Sequence, residues 1–374
     1  MNKWFFRWHS RLAMFAFLPL LVICVTGSAL VFKHELDTLV MAEKVRVPAS
    51  GQHRLSLDTL ADGVNERLPA HEIVGWALFR DQGRADLLYV IPHNSDQWHY
   101  ILLNQYTGEL LSAPVSLTDH FTDWLLSLHY TFLLGEAGIA VTTLYAFLLC
   151  FLGISGLYLH RRFWKNFFTL RRNARTVVYY SDLHKMAGVV ASPVLLILGI
   201  TGGYWNIQHL WSEYQEHADG KAHHQMVDRL YNDRLSLQAM RERSSEHLSP
   251  FVATYISFPY EPGKQFRFFG DVGDPNPLMS QYASGVTFDA HNGEFISAFD
   301  IREAGLGMRV LDSFRRLHFG DFAGTTSRIV WTVIGLLPLV LAFTGVSLWW
   351  LRHRKKRTVA KRRGTLTDRS GQAG

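Results

Sequence analysis

The chain alternates between long apolar runs and stretches where polar and apolar residues interleave. Four runs stand out: Leu12–Phe32, Ala137–Leu159, Met186–Ile207 and Ile329–Leu351, none of which contains Asp, Glu, Lys or Arg. Each is long enough for the roughly 20 helical residues that cross about 30 Å of hydrocarbon, so each predicts a membrane-spanning helix. Pro19 and Pro193 lie inside two of them, where prolines are tolerated. Between the runs, "EIVGWALF", "DLLYVI" and "WHYILL" change polarity over short distances, which predicts antiparallel strands with one solvated face. Residues 208–248, rich in Glu, Gln, His and Arg, read as helical, and 259–285, with several Gly and Pro, read as loop.

The pattern repeats. His9 is followed 18 residues later by Gly27 and 25 residues later by His34, and His184 is followed at the same spacings by Gly202 and His209. Thr26 and Thr201 precede the two glycines. His129 precedes Gly156 by 27 residues, as His318 precedes Gly345, with Ser155 and Thr344 before those glycines. "NQYTGEL" and "DAHNGEF" share a Gly-Glu step suited to a tight hairpin turn. The three offsets, 175, 185 and 189, grow smoothly along the chain. They predict a membrane α+β fold of four transmembrane helices arranged as two parallel pseudo-twofold repeats, each a helix, an external β-containing domain and a helix. The predicted segments are helix-bearing 1–33, 129–160, 183–208 and 318–352, external 34–128 and 209–317, and cytoplasmic 161–182 and 353–374.

Composition agrees, with 48% hydrophobic and only 19% charged residues in 374. Charge orients the spans. Residues 1–11 hold three basic residues and no acid, 160–178 hold six and no acid, and the tail from Arg352 holds nine against one acid, Asp368. The whole chain is only +6, so the remaining segments are net acidic. The positive-inside rule therefore places both termini and the middle loop in the cytoplasm and the two long segments outside. The basic balance is topological and gives no support for nucleic-acid binding. The first run exceeds a normal signal-peptide core and is repeated later, so it is expected to remain as a helix. Cys24 and Cys150 both lie within predicted helices, and no CxxC or CxxCH occurs, which disfavours disulfides, thiolate metal sites and covalently attached haem.

Histidines border the spans. Helical rise puts His9 and His34 near opposite membrane faces, with His9 and His184 on the cytoplasmic side and His34, His129, His209 and His318 on the other. Paired neutral imidazoles from facing helices are what a non-covalent b-type haem requires, and spans without carboxylates argue against a proton relay or a hard-metal site. The expected ligand pairs are His9 with His184 and His129 with His318. His34 and His209 are duplicated as well and rank second, as alternative external ligands or supporting groups. His160 and His353 do not align and read as loop residues. The tryptophans at the span ends (Trp4, Trp8, Trp124, Trp164, Trp205, Trp211, Trp331, Trp349, Trp350) read as an interfacial belt. Arg315 and Arg316 are candidates to pair with haem propionates, while Arg11, Arg161 and Lys185 are accounted for by topology.

The stretches "DLHKMAG…TGG" and "LHFGDFAG…TGVSLWWLRHRKK", with the two "(T/N)GE" hairpins, resemble the PepSY-associated transmembrane family of bacterial inner-membrane proteins over nearly the whole chain, and within it the FoxB-type ferrioxamine (ferric-siderophore) reductases. The resemblance implies PepSY-like external domains in the periplasm and two haem b groups, one near each face. It further implies His9, His129, His184 and His318 as axial ligands, a cytoplasmic or membrane electron donor, and reduction of Fe(III) in a periplasmic siderophore, with hydroxamates such as ferrioxamine suspected. Two other classes stay open: a haem-independent scaffold or regulatory component of an uptake complex, and a small transporter.

Overall fold

The computed structural model describes residues 3–48, 53–161, 169–218 and 224–371, with side chains described only as far as Arg354. In chain order the elements are α1 (Lys3–Leu30), α2 (Lys33–Val45), α3 (Leu57–Arg67), β1 (His71–Ala77), β2 (Asp86–Pro92), β3 (His99–Leu103), β4 (Val115–Ser116), α4 (Phe121–Thr131) and α5 (Gly135–Leu159). They continue as α6 (Thr176–Ala218), α7 (Leu237–His247), β5 (Val252–Ser257), β6 (Phe266–Asp271), β7 (Ser284–Phe288), β8 (Phe295–Phe299), α8 (Leu306–Phe319), α9 (Gly324–Gly335) and α10 (Leu337–Gly371). The chain forms two units. One comprises Met1–Val31, Leu128–Gln208 and Thr325–Gly374, the other Phe32–Ser127 and His209–Gly324.

The first unit is helical. Four helical stretches are long and apolar enough to cross a membrane, Lys3–Leu30, Gly135–Leu159, Thr176–Ala218 and Gly324–Arg354, one for each apolar run. Their shared core is Ala16, Leu20, Cys24, Leu149, Ala191 and Leu195, with Leu337 and Leu341 packed against it. Small residues set the closest approaches: a Cβ at Gly199 would stand 2.8 Å from Cys150 Sγ and 3.2 Å from the Ala146 carbonyl. Large apolar side chains such as Phe15, Phe147, Ile154, Ile200 and Phe343 are exposed, as a lipid-facing surface requires.

The second span departs from expectation. The segment 129–160 is not one helix, because the chain turns sharply between α4 and α5 through Phe132, Leu133 and Gly135, all at positive φ. Gly138 makes the turn possible, since a Cβ there would fall 1.7 Å from the Thr131 carbonyl oxygen. His129 therefore rides on a separate short helix. His318 likewise lies on α8, ahead of α9, so 318–352 is not one helix either.

The second unit is built on one eight-stranded antiparallel sheet, ordered β4-β3-β2-β1-β5-β6-β7-β8. The two segments read as separate external domains meet in it through the antiparallel pair β1–β5, with Gly75 opposite Ser257 and Ala77 opposite Tyr255. Each segment supplies a helix and four strands, and the helices start alike: Ser56 accepts from Thr59 N–H and Ser236 from Ala239 N–H. The hairpins also correspond. Gly108 and Gly293 sit at φ +74° and +70°. Asn104 Oδ1 accepts from the amides of Tyr106 and Thr107, and Asp289 Oδ1 from those of His291 and Asn292. Under α3 and α7, Trp76, Leu88, Ile101, Phe258, Phe266, Phe268 and Phe288 fill the main core. The stretch expected as loop contains strand β6, in which Phe266 and Phe268 are buried on either side of exposed Arg267. Of the stretch 208–248 read as helical, 208–218 and Leu237–His247 are helix and 224–236 is irregular, while 219–223 lie outside the described residues.

A buried polar network ties α2 to the start of α4. Lys33 Nζ donates to Asp37 Oδ2, Asp123 Oδ1 and Thr122 Oγ1, each at 2.9 Å. Thr122 donates to Asp37. Tyr100 donates to Asp123 Oδ2 at 2.6 Å, and burial, followed by this bond, pushes the phenol pKa up.

Candidate functional site

Three of the histidines singled out in the sequence are held in the same way. His9 on α1 places Nδ1 2.7 Å from Ser155 Oγ on α5. His184 on α6 places Nδ1 2.8 Å from Thr344 Oγ1 on α10. His129 on α4 places Nδ1 3.1 Å from Thr26 Oγ1 and 2.9 Å from the Ile23 carbonyl on α1. In every case the residue after the hydroxyl is a glycine lying against the ring. A Cβ would stand 3.6 Å from His9 Cε1 at Gly156, 3.5 Å from His184 Cε1 at Gly345, and only 2.7 Å from His129 Cε1 at Gly27.

These contacts fix the tautomer. Thr344 Oγ1–H donates to the Val340 carbonyl at 2.6 Å and Thr26 Oγ1–H to the Val22 carbonyl at 2.7 Å. With its proton committed to its own helix, each hydroxyl oxygen can only accept, so the imidazole Nδ1 must carry hydrogen. The Ile23 carbonyl beside His129 Nδ1 imposes the same choice, because a carbonyl never donates. Ser155 makes the corresponding bond to the Leu152 carbonyl at 3.3 Å, and Thr201, before Gly202, bonds the Ile197 carbonyl at 2.7 Å. A neutral imidazole with hydrogen on Nδ1 presents its lone pair on Nε2, the form a metal ligand needs.

His9 and His184 lie within electrostatic reach of one another. Both belong to the helical unit, as does His129, whereas His318 stands in the last turn of α8 in the strand-bearing unit, its ring 6.0 Å from that of Phe319. His34 and His209 are held differently. His34 faces Asp81 through Nε2 at 3.9 Å, and burial, followed by the charge of Arg84, lowers its pKa. His209 Nε2 stands 4.0 Å from Glu213 on the next turn. In both, a carboxylate stands near Nε2. His353 Nδ1 lies 2.9 Å from the Trp349 carbonyl, and His160 caps α5. Arg316 is engaged by Asp321 and the Met279 carbonyl, which leaves it spoken for, while Arg315 lies over Tyr282 and Phe319. Trp4, Trp8, Trp124, Trp211, Trp349 and Trp350 are exposed as a belt requires. Trp164, Arg162 and Lys165 lie outside the described residues, as do the side chains of the basic tail beyond Arg354.

Sequence reading marked the Ser/Thr-Gly steps as landmarks but missed their role. The spacing relates each histidine to a glycine downstream on its own strand of sequence, whereas the contacts are exchanged between helices: His9 meets Gly156, and His129 meets Gly27. The signal was the fourfold recurrence of a hydroxyl residue before glycine inside an apolar run.

Together these features define a membrane protein with a histidine-bearing helical unit and an antiparallel-sheet unit. The family model described as the PepSY-associated TM region matches residues 6–352, and the chain belongs to that family. It is also 34% identical over 80 residues to the uncharacterized protein PA4219 of Pseudomonas aeruginosa, a match covering 21% of this chain and 20% of that protein. The chain thus spans about a fifth of the length of that curated relative.

Proposed function

We propose that this protein is a di-haem b oxidoreductase of the bacterial inner membrane that passes electrons from a cytoplasmic or membrane donor to the periplasm and reduces Fe(III) in a siderophore, ferrioxamine-type hydroxamates among them. Release of Fe(II), which siderophores hold far less tightly, would be the outcome. The observation that carries this reading is the pair His9 and His184, each held through Nδ1 by a hydroxyl of a neighbouring helix, in a helical unit whose apolar runs hold no carboxylate. That donor set fits a b haem: two neutral nitrogen ligands, glycines that let each imidazole lie close against a neighbouring helix, and hydroxyls that keep each imidazole oriented. His9 and His184 would hold one group near the cytoplasmic face. The sequence repeat assigns His129 and His318 to the other, and the cytoplasmic termini and periplasmic sheet unit follow from the placement of basic residues. Haem supplies the one-electron chemistry when bound; the chain supplies ligation, orientation and spacing.

A dithionite-reduced minus oxidised spectrum of protein purified from haem-replete cells tests the proposal. It should show a b-type signal that halves in His9→Ala and in His184→Ala. Absence of any haem signal would remove the reductase reading in favour of a haem-independent scaffold or transporter.

A further inference from the structure

The strand-bearing unit has a second, differently furnished sheet face. Along β2, β5 and β6 the residues Leu88, Val90, Ile256, Phe266 and Phe268 enter the core under α3 and α7, so Tyr89, Tyr255, Arg267 and Phe269 fall on the opposite side. Tyr89 pairs across the strands with Gly75, and Tyr255 with Phe269. The rings of Tyr89 and Tyr255 are 6.5 Å apart and those of Tyr255 and Phe269 are 6.2 Å apart. Gly75 leaves the backbone bare beneath them, because a Cβ there would fall 2.1 Å from the Tyr255 hydroxyl. Tyr282, Asp123, Arg84 and Arg315 lie within electrostatic reach of Tyr89.

The polar groups on this face are donors without acceptors. Among the described residues, the hydroxyls of Tyr89, Tyr255 and Tyr282 make no hydrogen bond, and the guanidiniums of Arg84, Arg267 and Arg315 make neither a hydrogen bond nor an ion pair. The three cations lie instead over aromatic rings: Arg84 3.4 Å above Phe79, Arg267 4.5 Å above Phe269 and Arg315 4.6 Å above Tyr282. Of the acids within electrostatic reach of this face, Asp37 and Asp123 are paired with Lys33 and Asp81 accepts from the Gly83 amide, while Glu35 also lies near Arg84. Phenol and guanidinium donors of this kind, held partly out of water, find their full complement only in a ligand rich in anionic oxygen, and charge-assisted bonds to such a ligand are the strong ones.

We infer that this face binds a ferric chelate whose surface presents anionic oxygens, with Tyr89, Tyr255, Tyr282, Arg84, Arg267 and Arg315 as the recognising groups. The anionic, oxygen-rich character comes from the face itself, and only the iron rests on the reductase reading above. The inference narrows the substrate from trihydroxamates such as ferrioxamine, whose complex carries a free ammonium, to net-anionic complexes such as ferric tricatecholates and ferric citrate.

Calorimetric titration of the full-length protein in detergent with gallium(III) complexes tests this without haem or electron flow, since gallium(III) matches the charge of ferric ion and is not reduced. The gallium tricatecholate or gallium citrate should bind, with Tyr255→Phe and Arg315→Gln each weakening binding at least tenfold at an unchanged melting temperature, and with the gallium trihydroxamate at least tenfold weaker in the unaltered protein. Tyr255→Phe removes a single oxygen and keeps the fold testable if the arginine variant does not fold. No binding of either anionic complex, equal affinity in the variants, equal affinity for the trihydroxamate, or equally tight binding of inorganic phosphate would each overturn the inference. Loss of the haem spectrum with chelate binding intact would sink the reductase reading and leave this one standing.

Discussion

Replacing Thr344 with valine removes one hydroxyl and almost nothing else, because the two side chains have nearly the same shape. The bonds lost are the 2.8 Å contact to His184 Nδ1 and the hydroxyl's own donation to the Val340 carbonyl, which keeps its place in the helix. Leaving that N–H without an acceptor in an apolar surround costs about 1–3 kcal/mol, and at 1.4 kcal/mol per factor of ten this weakens haem retention roughly 5- to 150-fold, in line with the 10- to 100-fold typical of partners behind a metal ligand. The retained haem should also shift in potential. A hydrogen bond to Nδ1–H makes the imidazole a better donor and favours the oxidised group, so its loss raises the midpoint by tens of millivolts, about 40 mV for each kcal/mol in a one-electron couple. Haem content by pyridine haemochrome and potentiometric titration of the difference spectrum read both effects. Thr344→Ser keeps the hydroxyl and should behave like the unaltered protein. Valine without effect, or serine as damaging as valine, would refute the assigned hydrogen-bond role.

Other consequences follow from equally local features. Gly27→Ala should displace His129, because the added carbon would fall 2.7 Å from its ring, whereas Gly345→Ala meets His184 at an ordinary 3.5 Å and should be tolerated; haem spectra of the two variants separate them, and equal loss would count against the ring positions. Lys33→Met leaves Asp37 and Asp123 facing each other in a buried place without their shared cation, costing about 3 kcal/mol, which should appear as a fall of roughly 6–12 °C in melting temperature. Acid should weaken the sheet unit through His34 and His71, whose folded pKa values are lowered chiefly by burial. The unfolded chain then binds more protons, so this contribution is absent above the ordinary imidazole value of about 6.5 and destabilises progressively as pH falls below it. Melting curves between pH 7.5 and 5.5 should show that decline, and His34→Gln with His71→Gln together should flatten it.

What the sequence revealed depended on whether the physics was local. The four spans were legible because hydrocarbon imposes a length and excludes charge along a continuous run. Strands β1, β2 and β3 were legible as short apolar-rich runs, although the solvated face expected of them is missing in β1 and β3, which are buried almost throughout, and the Gly108 and Gly293 turns were legible from residue types that accept positive φ. Strand β6 was hidden, because Gly263, Gly270 and Gly273 and the nearby prolines masked the alternation of Phe266 and Phe268. The break before α5 gave no signal at all, since Phe132 and Leu133 are poor left-handed residues forced there by the packing of Gly138 on Thr131. The joining of both segments in one sheet, and the exchange of histidines between helices, rest on contacts between residues more than a hundred positions apart. A pattern read along the chain carries no trace of such partners.

The β1–β5 seam also sets a schedule. Strand β1 ends at Ala77, and the strand that covers its open edge begins at Val252, about 175 residues later. At a synthesis rate of roughly 5–20 residues per second, the first half-sheet waits on the order of 10–35 s with a row of bare amides and carbonyls exposed, while two further apolar helices are made and inserted. Such an edge is a template for wrong partners, including the same edge of a neighbouring nascent chain. Assembly of this protein therefore requires that the first half be kept from its neighbours until its own second half arrives.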